Sequence, residues 1–395
     1  MPLIKSLRKG LLLSSLLPII LSANANENIL SQDRLKQFEL SEKKVIEDSS
    51  KLKKDWINPI TLSYTKIDGE YTDSEKSVIR VDQPIFKSGG IYKAIKYANA
   101  NEKYSNLDID LQRKNLIKDA YETLYNINKI EFEIKKANYV VKNAQIDVIR
   151  KKEQVLNGFL DTSFLDNAIL DANTAKKNLI DLKYQKNELI NSFNNLASKD
   201  YKLFSLPTFE LVSKKEFLNK NLELSKAKAD IQTKYEYKGM TLAKYLPTVS
   251  ATFDYTKNHK FTPTNANTND DSIHNVGISI SMPLDVRTFN DIESTQIDYL
   301  KAKLSLKNKI LEEQNFFKTK LEKIKTIEKK IEITKDDYEL YNSLLDTIVE
   351  EKNAGLKTKS DVDTLLNSSM VKKIELKVYE LEKQIELLKL YAKIE

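Results

Sequence analysis

Two histidines are the whole imidazole complement of this 395-residue chain, and cysteine is absent. His259 and His274 stand fifteen residues apart in an Asn- and Thr-rich segment with no supporting carboxylate pattern. They read as exposed loop residues rather than metal ligands. Without cysteine there is no thiolate metal site, no disulfide framework, no Cys nucleophile and no lipid-anchored N-terminal Cys. No G-x-x-x-x-G-K-[ST] phosphate loop occurs, so the sequence offers no nucleotide-driven source of energy of its own. Carboxylates are plentiful, since charged residues make up 31% of the chain. They alternate with lysines along long segments, which gives i,i+4 support on solvated helix faces rather than acid–base catalysis. A secreted hydrolase would need a nucleophile, a base and an orienting group, and no such set is present. Nucleic-acid binding would need a clustered basic surface, and none is written here. The expectation is a protein that is not an enzyme and holds no cofactor.

The elements that position these residues are long. Gly and Pro number only eight each, about 2% apiece against a usual ~7% and ~5%. Few turns in a chain rich in Lys, Glu, Leu and Ile predict long helices. Residues 1–25 read as a leader that is removed: Lys5, Arg8 and Lys9 precede the apolar stretch Leu11–Leu21, and Ala23-Asn24-Ala25 offers an A-x-A cleavage site. The apolar stretch is too short to span a ~30 Å hydrocarbon core. The three basic leader residues account for part of the +7 net charge, leaving a modest positive balance.

The rest of the chain is written twice. Pro84 and Pro283 each follow an alternating segment, 199 residues apart, and Gly158 and Gly355 stand 197 apart. Each Gly is followed by a Ser five residues on, Ser163 and Ser360, and by an Asp three later, Asp166 and Asp363. The Ser–Asp pairs resemble capping boxes opening a return helix. Ile127, Ile130, Ile134, Ala137, Val141, Ala144 and Val148 repeat with spacings of three and four. Ile324, Ile327, Ile331, Thr334, Tyr338, Tyr341 and Leu345 repeat the same register 197 residues later. A tandem duplication of coiled-coil hairpins follows. The expected first repeat spans 26–200, with strands at 57–66 and 76–84. A linker spans 201–213, and the second repeat covers 214–395, with strands at 248–258 and 275–283. A central helix of about 65 residues would be ~100 Å long.

Val276, Ile278, Ile280 and Met282 alternate with Asn275, Gly277, Ser279 and Ser281. That pattern suits a membrane barrel with lipid outside and water inside, and equally a half-buried soluble sheet. Export and the ~100 Å helices favour the barrel. Four strands cannot close, because ~8 is the practical minimum and open edges are not tolerated in lipid, so several chains must contribute. Trp56 and Tyr245 precede the first strand of each half, where an interfacial girdle or ordinary junction packing would both place an aromatic ring.

The chain resembles the TolC-type outer-membrane factors of Gram-negative tripartite efflux and type I secretion systems. The resemblance rests on the duplicated strand–strand–long-helix plan, on the junction Gln83-Pro84-Ile85-Phe86-Lys87-Ser88-Gly89-Gly90, and on the two Gly-containing hairpins. The second junction, Met282-Pro283-Leu284-Asp285, lacks the glycine pair. The resemblance implies a mainly α chain whose four strands enter a twelve-strand β-barrel in a homotrimer, with an α-helical tunnel in the periplasm. It also implies outer-membrane lipid, a periplasmic adaptor (membrane fusion) protein and an inner-membrane RND or ABC transporter as partners. Gly158, Phe159, Leu160 and Ser163, with Gly355, Leu356 and Ser360, would then face the adaptor. Asp361, near Lys357, would occupy the gate-ring position, and Thr364 would replace a second acidic ring. A first-turn Asp favoured by the helix dipole is the competing reading of Asp361. A periplasmic coiled-coil adaptor without a pore is the rival function; it would carry one hairpin and a compact β-rich domain.

Overall fold

The computed structural model describes residues 29–70, 73–261 and 272–395. The expected leader lies outside the described residues. The chain opens with helix α1 (Gln32–Lys54), then strands β1 (Thr61–Asp68) and β2 (Asp73–Phe86). The long helix α2 (Gly90–Leu156) and its return α3 (Thr162–Asn194) complete the first repeat. The second repeat runs α4 (Lys214–Asn219), α5 (Leu222–Lys244), β3 (Thr248–Phe261), β4 (Ser272–Ser281), α6 (Thr288–Asn353) and α7 (Lys359–Tyr391).

Helices α2 and α6 contain 67 and 66 residues, each close to 100 Å at 1.5 Å per residue. Their interiors carry no Pro, and the single Gly in α2 is its first residue. Both end in the same way. Gly158 (φ 72°) and Gly355 (φ 77°) adopt the left-handed conformation just past the helix. The amides of Phe159 and Leu356 reach back to the carbonyls of Gln154 (2.8 Å) and Glu351 (2.9 Å). This is the Schellman arrangement, which a residue with Cβ enters at a cost.

The return helices are capped two residues earlier than the Ser–Asp spacing predicts. Asp161 is the N-cap of α3 and accepts from the amide of Ser163. Thr358 caps α7, and its reciprocal partner in a true capping box is Asp361. Each cap falls three residues after its Gly, because the turn itself uses only Phe159-Leu160 or Leu356-Lys357. Ser163 and Ser360 therefore sit inside the first turn, where a side chain has no free amide to cap.

Helix α2 is the spine. It packs against α1 and α5 toward the sheet, and against α3 and α7 toward the tips; α6 packs on α5 and α7. The two seams expected from the 3,4 spacing lie at these contacts: Ile127, Ile130, Ala137 and Val141 are buried, as are Ile324, Ile327 and Thr334. Of two apolar clusters at mid-height, the first draws on both repeats and the second on the second repeat and the segment before it. One joins Leu124, Tyr125 and Ile127 to Phe193, Ile385 and Leu388. The other joins Phe217 and Ile324 to Leu387 and Leu390.

The segment between the repeats is a packed belt. Phe204, Leu206 and Phe209 lie against the first cluster, the Tyr125 hydroxyl donates to the Pro207 carbonyl, and Gln384 accepts from the Phe209 amide at 2.8 Å. Between α4 and α5 the helical run breaks at Asn221, which caps α5 and donates to the buried Glu313 at 2.9 Å. Lys393 neutralises Glu313 at 2.6 Å.

The four strands form one antiparallel sheet in the order β1-β2-β3-β4. Pro84 lies within β2, where the β2–β3 ladder shifts register, the kind of position that tolerates a missing donor. Among the described residues β1 and β4 are the free edges of the sheet. His259 and His274 belong to β3 and β4 rather than to the intervening loop. His259 bonds Ser77 at 2.8 Å.

Candidate functional site: a two-faced sheet and paired hairpin tips

Strand register sorts the sheet residues into two chemically distinct faces. Leu62 pairs with Ile79, Ile79 with Tyr255, Val81 with Phe253, Phe253 with Val276, Ala251 with Ile278 and Val249 with Ile280. Cross-strand partners share a face, so these side chains form one continuous apolar surface. It is uncovered: Leu62, Val276, Ile278 and Ile280 are each 73–80% exposed. The other face carries Thr61, Arg80, Asp254 and Asn275 in one row, with Thr252, Ser250 and Ser279 beyond. Arg80 and Asp254 pair at 2.7 Å across it. A soluble half-buried sheet would cover its apolar face with the rest of the chain; here that face is open. At 14 residues each, β2 and β3 exceed the ~9–11 that a tilted membrane strand requires.

The first strand–helix junction is tied tightly. Gln83 accepts from the amide of Asn58 and donates to the carbonyls of Trp56 and Pro84, each at 3.1 Å. Ser88 donates to the Pro247 carbonyl at 2.6 Å, and Gly89 (φ 80°) turns the chain into α2. A Cβ on Gly90 would meet the Cβ of Ala243 at 3.0 Å, so this glycine permits α2 to lie directly on α5. At the second junction an Asp285–Arg287 clasp replaces the glycine pair. Asp285 accepts from the Arg287 amide at 2.9 Å and from its guanidinium at 2.6 Å. Arg287 holds the Asp285 carboxyl down to about 2. Tyr245 is buried and its hydroxyl donates to Asp291, so junction packing accounts for this ring.

At the far end the hairpin tips expose apolar side chains: Leu156, Phe159 and Leu356 are each 74–77% exposed. Asp361 stands just inside the second tip. Its carboxylate accepts from the Thr358 amide (3.0 Å) and hydroxyl (2.8 Å), and from Arg150 on α2 at 2.9 Å. These bonds hold its carboxyl below the usual aspartate range, the Thr358 contacts contributing most and Arg150 less. Thr364 donates its hydroxyl to Ser360 (2.7 Å), and its carbonyl accepts from Asn143 (3.2 Å). Lys357 is exposed in the turn.

Arg150 and Asn143 belong to a ladder that sequence reading did not find. Lys129, Lys136, Asn143 and Arg150 recur every seven residues on α2. They meet Glu382 (3.6 Å), Glu375 (3.3 Å), Ser368 (3.1 Å) and Asp361 (2.9 Å), which recur every seven residues on α7. In the three charged rungs the cation lies on α2 and the anion on α7; the next rung, Glu122 with Lys389 at 3.1 Å, reverses the charges. The signal was present as a heptad of polar residues, but on chains of 31% charged residues many such heptads exist, and only the partner helix selects one. Each partly exposed pair contributes little alone, about 0.2–1 kcal/mol, yet together they fix the antiparallel register of the two hairpins. Glu375→Lys should lower the melting temperature by placing two like charges at that rung, and adding Lys136→Glu should restore most of the loss. Absence of rescue in this double-mutant cycle would show that the ladder does not set the register.

No protein-family model matches the sequence, and no curated protein matches it. Solved structures do resemble the fold. The outer membrane protein VceC of Vibrio cholerae aligns over 93% of this chain and 94% of its own, with a TM-score of 0.72 and 13% identity. The Campylobacter jejuni CmeC outer membrane channel aligns over 94% and 85%, with a TM-score of 0.71 and 13% identity. The open state of the Neisseria gonorrhoeae MtrE outer membrane channel gives 93%, 87%, 0.67 and 12%. The fold is therefore that of the TolC-type outer-membrane channels: duplicated long helical hairpins carrying a four-stranded sheet.

Proposed function

We propose that three copies of this chain assemble into an outer-membrane channel that serves as the passive exit duct of a tripartite efflux pump or type I secretion system. The sheet carries this reading. It has one apolar, uncovered face, one polar face, and two free edges, which is what a third of a twelve-strand barrel requires. The helical layer repeats the same incompleteness. Ile297, Leu300, Leu304 and Leu311 are exposed on α6, at one lateral edge, while Leu40 and Ile46 on α1 and Ile169 and Ile180 on α3 are exposed at the other. A heterologous contact between unlike edges closes into a ring.

The ~100 Å helices then continue the pore into the periplasm. The exposed tips meet an adaptor protein, which couples the duct to an inner-membrane RND or ABC transporter. The channel supplies no energy itself. Two hairpins and an open sheet argue against the pore-less adaptor reading. Outer-membrane fractionation with heat-modifiable migration on a gel tests the proposal; a soluble monomer would overturn it.

Asp361 is proposed as the gate carboxylate, with Arg150 as its latch. Three copies near the pore axis would attract cations and repel anions, and the Arg150 bond would hold each tip of α7 against α2 in the closed state. Asp361→Ala should raise resting conductance and weaken block by divalent cations in planar-bilayer recordings. Because the carboxyl titrates below its ordinary value of 3.8, the latch is complete above that pH and is lost as pH falls through the lowered value. Acidification through that lowered value, beneath the ordinary aspartate range, should therefore mimic the substitution. Unchanged block and conductance would leave Asp361 only a helix-capping role, worth about 1 kcal/mol.

A further inference from the structure

The duplication offers a direct comparison between the two strand–helix junctions, and they differ in what covers them. Pro84 and Gly90 are buried and Lys87 is half-buried, whereas their equivalents 199 residues on are all exposed: Pro283, Val286 at 96% and Phe289 at 83%. The cover on the first junction is known. It comes from residues 243–250 of the second repeat: Ala243 lies against Gly90, the Pro247 carbonyl accepts from Ser88, and Ser250 pairs with Pro84. The equivalents of that cover, displaced by the separation of Pro59 from Pro247, are residues near 55–62. Within one chain those residues run from the end of α1 into the first residues of β1, at the opposite lateral edge from α6 and β4. They too are uncovered, with Ile57 52% and Ile60 64% exposed.

We infer that the junction Pro283–Phe289 of one copy is covered by the α1–β1 junction of a second copy, with Phe289 as the anchor of the contact. This rests on the multi-chain reading above and adds to it a contact site. The occupant is a second copy because the same junction, inside the chain, is already covered by the duplicate of the segment invoked. The two patches sit at the same level, where strands pass into helices, so joining them continues the sheet and the helical layer together. The contact also explains the altered sequence. Gly90 lets α2 touch α5 at van der Waals distance; the second junction instead places a phenyl ring at that position. Buried aromatic anchors of this kind dominate interface energies.

The absence of native cysteine allows a clean test. Full-length chains carrying Phe289→Cys together with Asp55→Cys, Trp56→Cys or Ile57→Cys would be assembled, oxidised and run on a non-reducing gel. A disulfide needs Cα atoms about 4.4–6.8 Å apart, so at least one pair should convert most chains to covalent dimers and trimers. Phe289→Cys paired with Leu356→Cys at the tip should give none. Separately, Phe289→Ala should weaken association about tenfold or more, while Phe289→Leu should retain most of it. An assembled oligomer in which none of the three pairs cross-links would overturn the inference and leave the duct reading intact. So would quenching of a bimane probe at position 289 by brominated phosphatidylcholine vesicles, because it would place the patch in lipid. A wild-type chain that stays monomeric in detergent overturns the multi-chain reading itself.

Discussion

Ile278→Arg should leave the helical hairpins folded and keep the protein out of the membrane. Ile278 is 76% exposed on the apolar sheet face, between Val276 and Ile280. A buried-core substitution would unfold the chain, but this side chain touches little in the isolated protomer, so helicity and melting temperature should change little. In the assembled barrel the same position meets lipid, where an arginine near the bilayer centre costs about 2–4 kcal/mol. Three symmetric copies pay that cost together. Ser279→Arg, one residue along and therefore on the opposite face, should insert normally, because that face already accommodates Arg80. Flotation of each variant with liposomes separates the two outcomes. Equal insertion of both would mean that the apolar face does not contact lipid.

Ile327→Asp should have the opposite signature, with loss of the fold before any question of insertion. Ile327 is 1% exposed in the second seam, next to Ile324. A carboxylate buried there is taken out of water and costs several kcal/mol after relaxation. That is a large share of the ~5–15 kcal/mol by which domains are stable. Ile331→Asp, only half-buried in the same seam, should cost less. Circular dichroism through a thermal ramp measures both. Equal and small losses would show that the 3,4 register does not mark a packed interface.

Much of this architecture was legible because punctuation is sparse. With so few glycines and prolines, Gly158, Gly355, Pro84 and Pro283 mark the boundaries almost alone, and their recurrence exposes the duplication. The seams were legible for a similar reason: Ile127, Ile130, Ile324 and Ile327 are apolar residues at a period that a charged helix face does not produce. The polar couplings were not. Arg150 and Asp361 lie 211 residues apart, and nothing local distinguishes Arg150 from its neighbours Lys151 and Lys152. The spacing rule alone does not place the caps, because Ser360–Asp363 and Thr358–Asp361 both fit it and the choice depends on how many residues the turn consumes. The belt reads as a linker because its apolar residues, Phe204, Leu206 and Phe209, show no regular period; they pack as irregular backbone. The two histidines read as loop residues because Asn and Thr surround them, yet on an exposed strand polar residues cost nothing.

The central claim is that copies of this chain enclose a continuous aqueous path across a membrane. Planar-bilayer recording of the purified, detergent-extracted protein tests it most directly. Wild-type protein should give stepwise current increments of uniform size; Ser279→Arg should still form channels, with altered increments because it lines the lumen, and Ile278→Arg should form none. Wild-type protein that inserts into the bilayer as a folded oligomer yet passes no current at any voltage, even after Asp361→Ala, would contradict it.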